Sequence, residues 1–205
     1  SLFQLEQAIT LRQVVLEASA TFHHSLLEFI GSSLQEGQRE DFYTKLLQEA
    51  VQVVPGAQAG SILLKQGGRF HFVASQGFEG EALQAITFSE AELRGNSSEP
   101  YRLILRETPI VTDIERRNVL DTAGRVADIK VSLSIPILSD DEVVAFLFLD
   151  NFETQRAFND NAVNMSRIFA EQIGVLLSRF DLERHLSDRQ NELSTWGEFH
   201  QGLME

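Results

Sequence analysis

In 131-VSLSIPILSDDEVVAFLFLDN-151 two apolar runs meet at a polar turn. Lys130 to Leu138 and Glu142 to Asp150 read as strands, and Ser139-Asp140-Asp141 between them is short enough for an antiparallel connection. Ser132 and Ser134 alternate with Val131, Leu133 and Ile135, so the two hydroxyls share one face of a sheet. Upstream, Ala57 to Lys65 and Phe70 to Ser75 flank Gln66-Gly67-Gly68-Arg69. Paired glycines supply the positive φ of a tight hairpin. Between the two hairpins, Gly77 to Asp128 is irregular, punctuated by Gly95, Pro100 and Pro109. A short helix is expected over Tyr101 to Arg106 and a strand at Ile110-Val111. So long a stretch inside a compact domain is a place to look for function.

On either side of this β-rich centre the period becomes helical. A helix is expected to start near Asp41, with Phe42, Leu46, Ala50 and Val53 on one face, and to stop at Pro55-Gly56. From Asn159-Asp160 onward, Met165, Phe169, Ile173, Leu176 and Phe180 form another apolar face. Both ends carry narrow stripes at alternating steps of three and four. The first is Ala8, Leu11, Val15, Ala18 and Phe22, extended by Ser25 and Phe29; the last is Leu182, Leu186, Arg189, Leu193, Trp196, His200 and Leu203. Such stripes pack against other helices. Three segments are therefore expected: an N-terminal dimerisation helix over 1–36, a central domain over 37–180 and a C-terminal signalling helix over 181–205. The expected partner is a second copy of the chain, in parallel, since two identical outputs must leave one end to act on each other. With Arg189 and His200 in its seam, a solvated end is the alternative for the last segment.

Composition excludes several functions. The 205 residues carry 17 basic and 30 acidic side chains, a formal charge of −13 that repels nucleic-acid backbones. There is no cysteine, hence no disulfide, thiolate metal site or cysteine nucleophile. The longest apolar run, Val143 to Leu149, is far short of a membrane span, and the opening SLFQLEQAIT is unlike a signal peptide. A cytoplasmic chain without membrane insertion is expected. His23 and His24 diverge on a helix, His24 with Glu28 lacks a third ligand, and His71, His185 and His200 are scattered; no metal site is expected. No G-x-S-x-G presents a serine, and Gly77-x-x-Gly80 is followed by no lysine of a phosphate-binding loop.

Helix, hairpin, irregular cap, hairpin and exit helix, in that order, resemble a GAF domain over residues 41–180. The resemblance is sharpest in 131-VSLSIPILSDDEVVAFLFLDN-151, followed by Phe158, Asp160 and 168-IFAEQIGVLL-177, with Gly60-Ser61 and Asp113 also in place. It implies an α+β fold: a central antiparallel sheet of five or six strands, helices on one face, and a capped small-molecule pocket on the other. Sulfoxide-reducing and bilin-attaching relatives use cysteines, so neither activity nor a covalent bilin is expected. Asn151, Phe158 and Asp160 echo a cyclic-nucleotide signature, but Phe152 and Asn161 stand where its lysine and glutamate would be. Strand termination, core packing and helix capping explain the three as well.

The candidate ligand-binding residues are Ser61, Phe72, Asp113, Ser132, Ser134 and Phe148. A hydroxyl in an aliphatic strand needs a partner or a cavity. Arg116-Arg117 with Arg125 could receive an anion at the pocket mouth, or line a solvated loop. The function expected is a non-catalytic sensor in bacterial signal transduction, binding an unidentified small molecule and no identified cofactor. It would signal through its helices to an output module such as a histidine kinase, diguanylate cyclase or phosphodiesterase. One alternative is a purely dimerising module whose pocket is plugged by Phe70, Phe72, Phe146 and Phe148. A second is an enzyme with an unfamiliar site.

Overall fold

The structure, a computed structural model, describes residues 36–95, 102–104, 113–179 and 189. Its elements are α1 (Glu36–Val53), β1 (Ala59–Gln66), β2 (Arg69–Gln76), α2 (Gly80–Gln84), β3 (Thr87–Phe88), α3 (Glu90–Arg94), β4 (Arg102–Ile104), α4 (Ile114–Ala123), β5 (Val131–Ser139) and β6 (Glu142–Asn151). A last helix, α5, follows over 160–179. The expected dimerisation and signalling helices lie outside the described residues, apart from Glu36, which is helical, and Arg189, which is helical and exposed.

The strands form one sheet in the order β3-β2-β1-β6-β5-β4, with every neighbouring pair antiparallel. Both hairpins turn through two residues of positive φ, Gly67-Gly68 (58° and 80°) and Asp140-Asp141 (49° and 65°). That handedness matches the twist of the strands, and aspartate tolerates it better than most residues. The helix expected over Tyr101 to Arg106 is corrected: Arg102–Ile104 is an edge strand paired with Ser132–Ser134. β5 supplies the partner that no local signal reveals. The strand expected at Ile110-Val111 lies outside the described residues. α1 is already helical at Glu36, so the helix does not start near Asp41.

Alternation sorts the sheet into two faces. Ile62, Val131, Leu133, Ile135, Ala145, Leu147 and Leu149 pack with Phe42, Leu46, Leu47 and Ala50 of α1 and with Met165, Phe169, Ile173 and Leu176 of α5. Leu63, Phe70 and Phe146 point the other way, into a second core with Leu83, Ile86, Phe88, Leu120 and Ala123 of the cap. At Gly60 and Gly174 the backbones close in. A Cβ on Gly60 would lie 2.5 Å from the Phe148 carbonyl oxygen, and one on Gly174 would overlap that of Leu138. No helix among the described residues is long and apolar enough to cross a membrane.

Candidate functional site

Steps of two along each strand from the second core define the cap-side face of the sheet. On β6 they run Phe146, Phe148, Asp150; on β1, Leu63, Ser61; on β5, Pro136, Ser134, Ser132. The registers align these residues in rows: Leu63, Phe146 and Pro136; then Ser61, Phe148 and Ser134; then Ala59, Asp150 and Ser132. Ser75 extends the middle row on β2, and the start of α2 lies over it, since a Cβ on Gly80 would approach Ser75 Oγ to 2.6 Å.

The face is thus divided. Toward β3 it is aromatic. Phe70 meets Phe146 edge-on at 5.1 Å, Phe72 meets Phe88 at 5.9 Å, and Phe148 stacks on Phe146 at 6.0 Å. Toward the other end of the strands it is polar, and its members are nonetheless buried: Ser61, Ser132, Ser134 and Asp150 are 5%, 8%, 4% and 4% exposed. Burial raises the Asp150 carboxyl to about 7, and a hydrogen bond from the Ser132 hydroxyl offsets only part of that rise. A site with hydroxyl donors, one carboxyl that can be neutral or charged near neutrality, and an aromatic floor can bind a small polar molecule. Among the described residues no group of three or more His, Asp or Glu side chains is placed to hold a metal.

The expected site residues separate as follows. Ser61, Ser132, Ser134 and Phe148 come together at the polar half, while Phe72 lies in the aromatic half. Asp113 is exposed and caps α4, its carboxylate accepting from Glu115 N at 2.8 Å and Arg116 N at 3.1 Å. The four phenylalanines do share the cap side, but only Phe148 reaches the polar half, and the row of Ala59, Asp150 and Ser132 holds none of them. The basic cluster does not exist as a unit. Arg116 donates to Glu92 at 2.9 Å and to the Thr87 carbonyl, and lies over the Phe88 ring. Arg125 pairs with Asp128 at 3.0 Å and sits 4.7 Å from the Phe152 ring centre. Asp150 and Ser75 were missed. The signal for Asp150 was its phase with Phe146 and Phe148, which puts it on a face rather than merely at a strand end.

The echo of a nucleotide signature dissolves into structure. Asn151 donates to the Gly56 carbonyl at 2.8 Å and accepts from Glu153 N and Thr154 N. Phe158 is in the helix-side core. The cap of α5 is Asn159, accepting from Ala162 N at 3.0 Å, rather than Asp160.

The sequence model of the GAF domain matches residues 37–178, more than half of the chain. The chain belongs to the GAF domain family. Solved GAF domains share its fold. That of a phosphoenolpyruvate-protein phosphotransferase from Coxiella burnetii aligns with a TM-score of 0.62 at 15% identity, covering 87% of this chain and 98% of the other. A domain of a protein assigned as a two-component sensor histidine kinase in Sinorhizobium meliloti gives 0.55 at 20%, covering 72% and 97%. The phycocyanobilin-bound GAF domain of a cyanobacterial phytochrome gives 0.55 at 17%, covering 85% and 97%. No curated protein matches the chain.

Proposed function

We propose that this GAF domain is the non-catalytic sensor of a cytoplasmic bacterial signalling protein, binding a small molecule on the polar half of its cap-side face. The observation that carries the reading is the division of that face. Buried hydroxyls and a carboxyl without apolar filling are costly in a domain that only dimerises, whereas a polar ligand compensates them. Occupancy would favour one placement of the cap over the sheet, and α1 and α5, on the opposite face, would carry the difference into the flanking helices. Those helices, over 1–36 and 181–205, pair with a second copy in this scheme, and the output lies in a module beyond them.

Native mass spectrometry of the purified protein tests the sensor. A retained small molecule, lost on denaturation, is the expected result; a bare polypeptide that also binds nothing in a metabolite screen by thermal shift sinks it. Light scattering tests the pairing. The full chain should be a dimer at tens of micromolar, and a version ending at Ser178 should dissociate more readily.

A further inference from the structure

Beyond accepting the Ser132 hydroxyl, the Asp150 carboxyl has no evident duty in the fold. The next residue, Asn151, terminates β6 and holds the turn that follows. Asp150 contributes its backbone carbonyl to Gln58 N at 2.9 Å, a bond any residue could make. Its side chain is buried, and among the described residues no cation bears on it: Ala59 faces it from β1 and Ser132 from β5, with Ile104 of β4 next in register and Lys130 two residues before Ser132. On the cap loop at this end, Arg125 and Asp128 are engaged with each other, and Lys130, whose N–H bonds to the Asn151 carbonyl, plays no part in the raised Asp150 carboxyl. An asparagine or an alanine would be cheaper to bury.

Its surroundings describe a complement. Phe148 lies two residues back on the same face, about 7 Å along the strand, with Ser61 and Ser134 flanking it in register. A carboxyl with no counter-ion among the described residues, an aromatic surface beside it and two hydroxyls beyond suit a flat, short cation. From this juxtaposition, and resting on the sensory reading above, we infer that Asp150 anchors a small planar organic cation, an amidine or guanidine, whose N–H groups meet the carboxylate and whose body lies along Phe148 toward Ser61 and Ser134. Two N–H donors on one carboxylate make the strong, paired geometry that a single ammonium lacks.

The test is a titration of the full chain, isotope-labelled for amide NMR, with benzamidine, benzamide and benzoate. Benzamidine should shift the amides of Ser61, Ser132 and Ser134, and the two uncharged or anionic analogues should not. Because the carboxyl titrates at about 7 and benzamidine stays charged, binding should tighten about tenfold from pH 6 to pH 8. Asp150→Asn should abolish binding while the spectrum stays dispersed. Ser134→Ala serves where that variant misfolds: it should weaken binding severalfold and keep the pH dependence. Benzamide or benzoate shifting these amides while benzamidine does not overturns the cation and leaves the sensor standing, as does benzamidine binding that ignores Asp150→Asn. Silence from all three, together with a bare polypeptide in native mass spectrometry, overturns both.

Discussion

Arg116 and Glu92 tie the cap together: the guanidinium of α4 lies 2.9 Å from the carboxylate of α3, and both side chains are four-fifths buried. Glu92 also closes a capping box with Ser89 and lies 3.7 Å from Arg69 of β2, so the pair links two cap helices to the sheet. Burial works to raise the Glu92 carboxyl, but the hydrogen bonds from Arg116 and Ser89 outweigh it and hold the group below its ordinary range.

Arg116→Ala should therefore loosen the cap rather than expose a binding surface. Leaving Glu92 without its partner should cost about 1–3 kcal/mol, or roughly 2–4 °C of melting temperature per kcal/mol for a domain of this size. Combined with Glu92→Ala the losses should fall short of additive. Additive losses in thermal melts would show that the two side chains act separately.

Asp150 and Glu92 should pull the pH profile in opposite directions. The folded Asp150 holds its proton up to about 7, whereas the unfolded chain releases it near the ordinary carboxylate value. The native state binds more protons in between, so this contribution to stability declines as pH rises from about 4 to about 7 and is then level. The Glu92 contribution is present above its unfolded value and is lost as pH falls through the depressed folded one. Melting curves of Asp150→Asn should gain most over wild type above pH 7; a constant offset at every pH contradicts the buried titration.

Gly174→Ala tests how α5 is seated. The added Cβ would overlap the Leu138 carbonyl oxygen, with Ile137 Cγ2 at 3.5 Å. Backbone cannot swing aside as a side-chain tip can, so the helix must lift, at about 1–3 kcal/mol. Denaturant midpoints read the loss, and an unchanged midpoint contradicts the close approach.

Asn151→Ala removes three hydrogen bonds that fasten the end of β6 to Gly56 and to the turn at Glu153-Thr154. A loss of about 1–3 kcal/mol is expected from the three part-buried hydrogen bonds removed together. Hydrogen exchange should quicken first at Glu153 and Thr154.

The hairpins, the faces of α1 and α5 and the shared face of Ser132 and Ser134 were legible because each is a local period or a local turn. β4 was not, because its pairing with β5 crosses the irregular segment. The basic trio failed for a geometric reason. Arg116 and Arg117 are successive on a helix and diverge by about 100°, and Arg125 lies beyond the helix end with a positive φ of 48°. In the sequence Asp150 reads only as the last residue of its strand, although its phase with Phe146 and Phe148 already puts it on their face. The register then sets it opposite Ser132, which no local period reveals.

The strand order has a consequence for how the domain is made. Its two central strands, β1 and β6, are the first and last to be synthesised, and they pair Ala59 with Asp150. Until β6 leaves the ribosome, β1 has only its hairpin partner β2, and one edge of that hairpin stays open. Loop closure of this length comes before the contacts that reward it. The domain therefore acquires its sheet late and nearly all at once, and any nascent chain halted before residue 151 presents an unpaired β1 edge to the cell's chaperones.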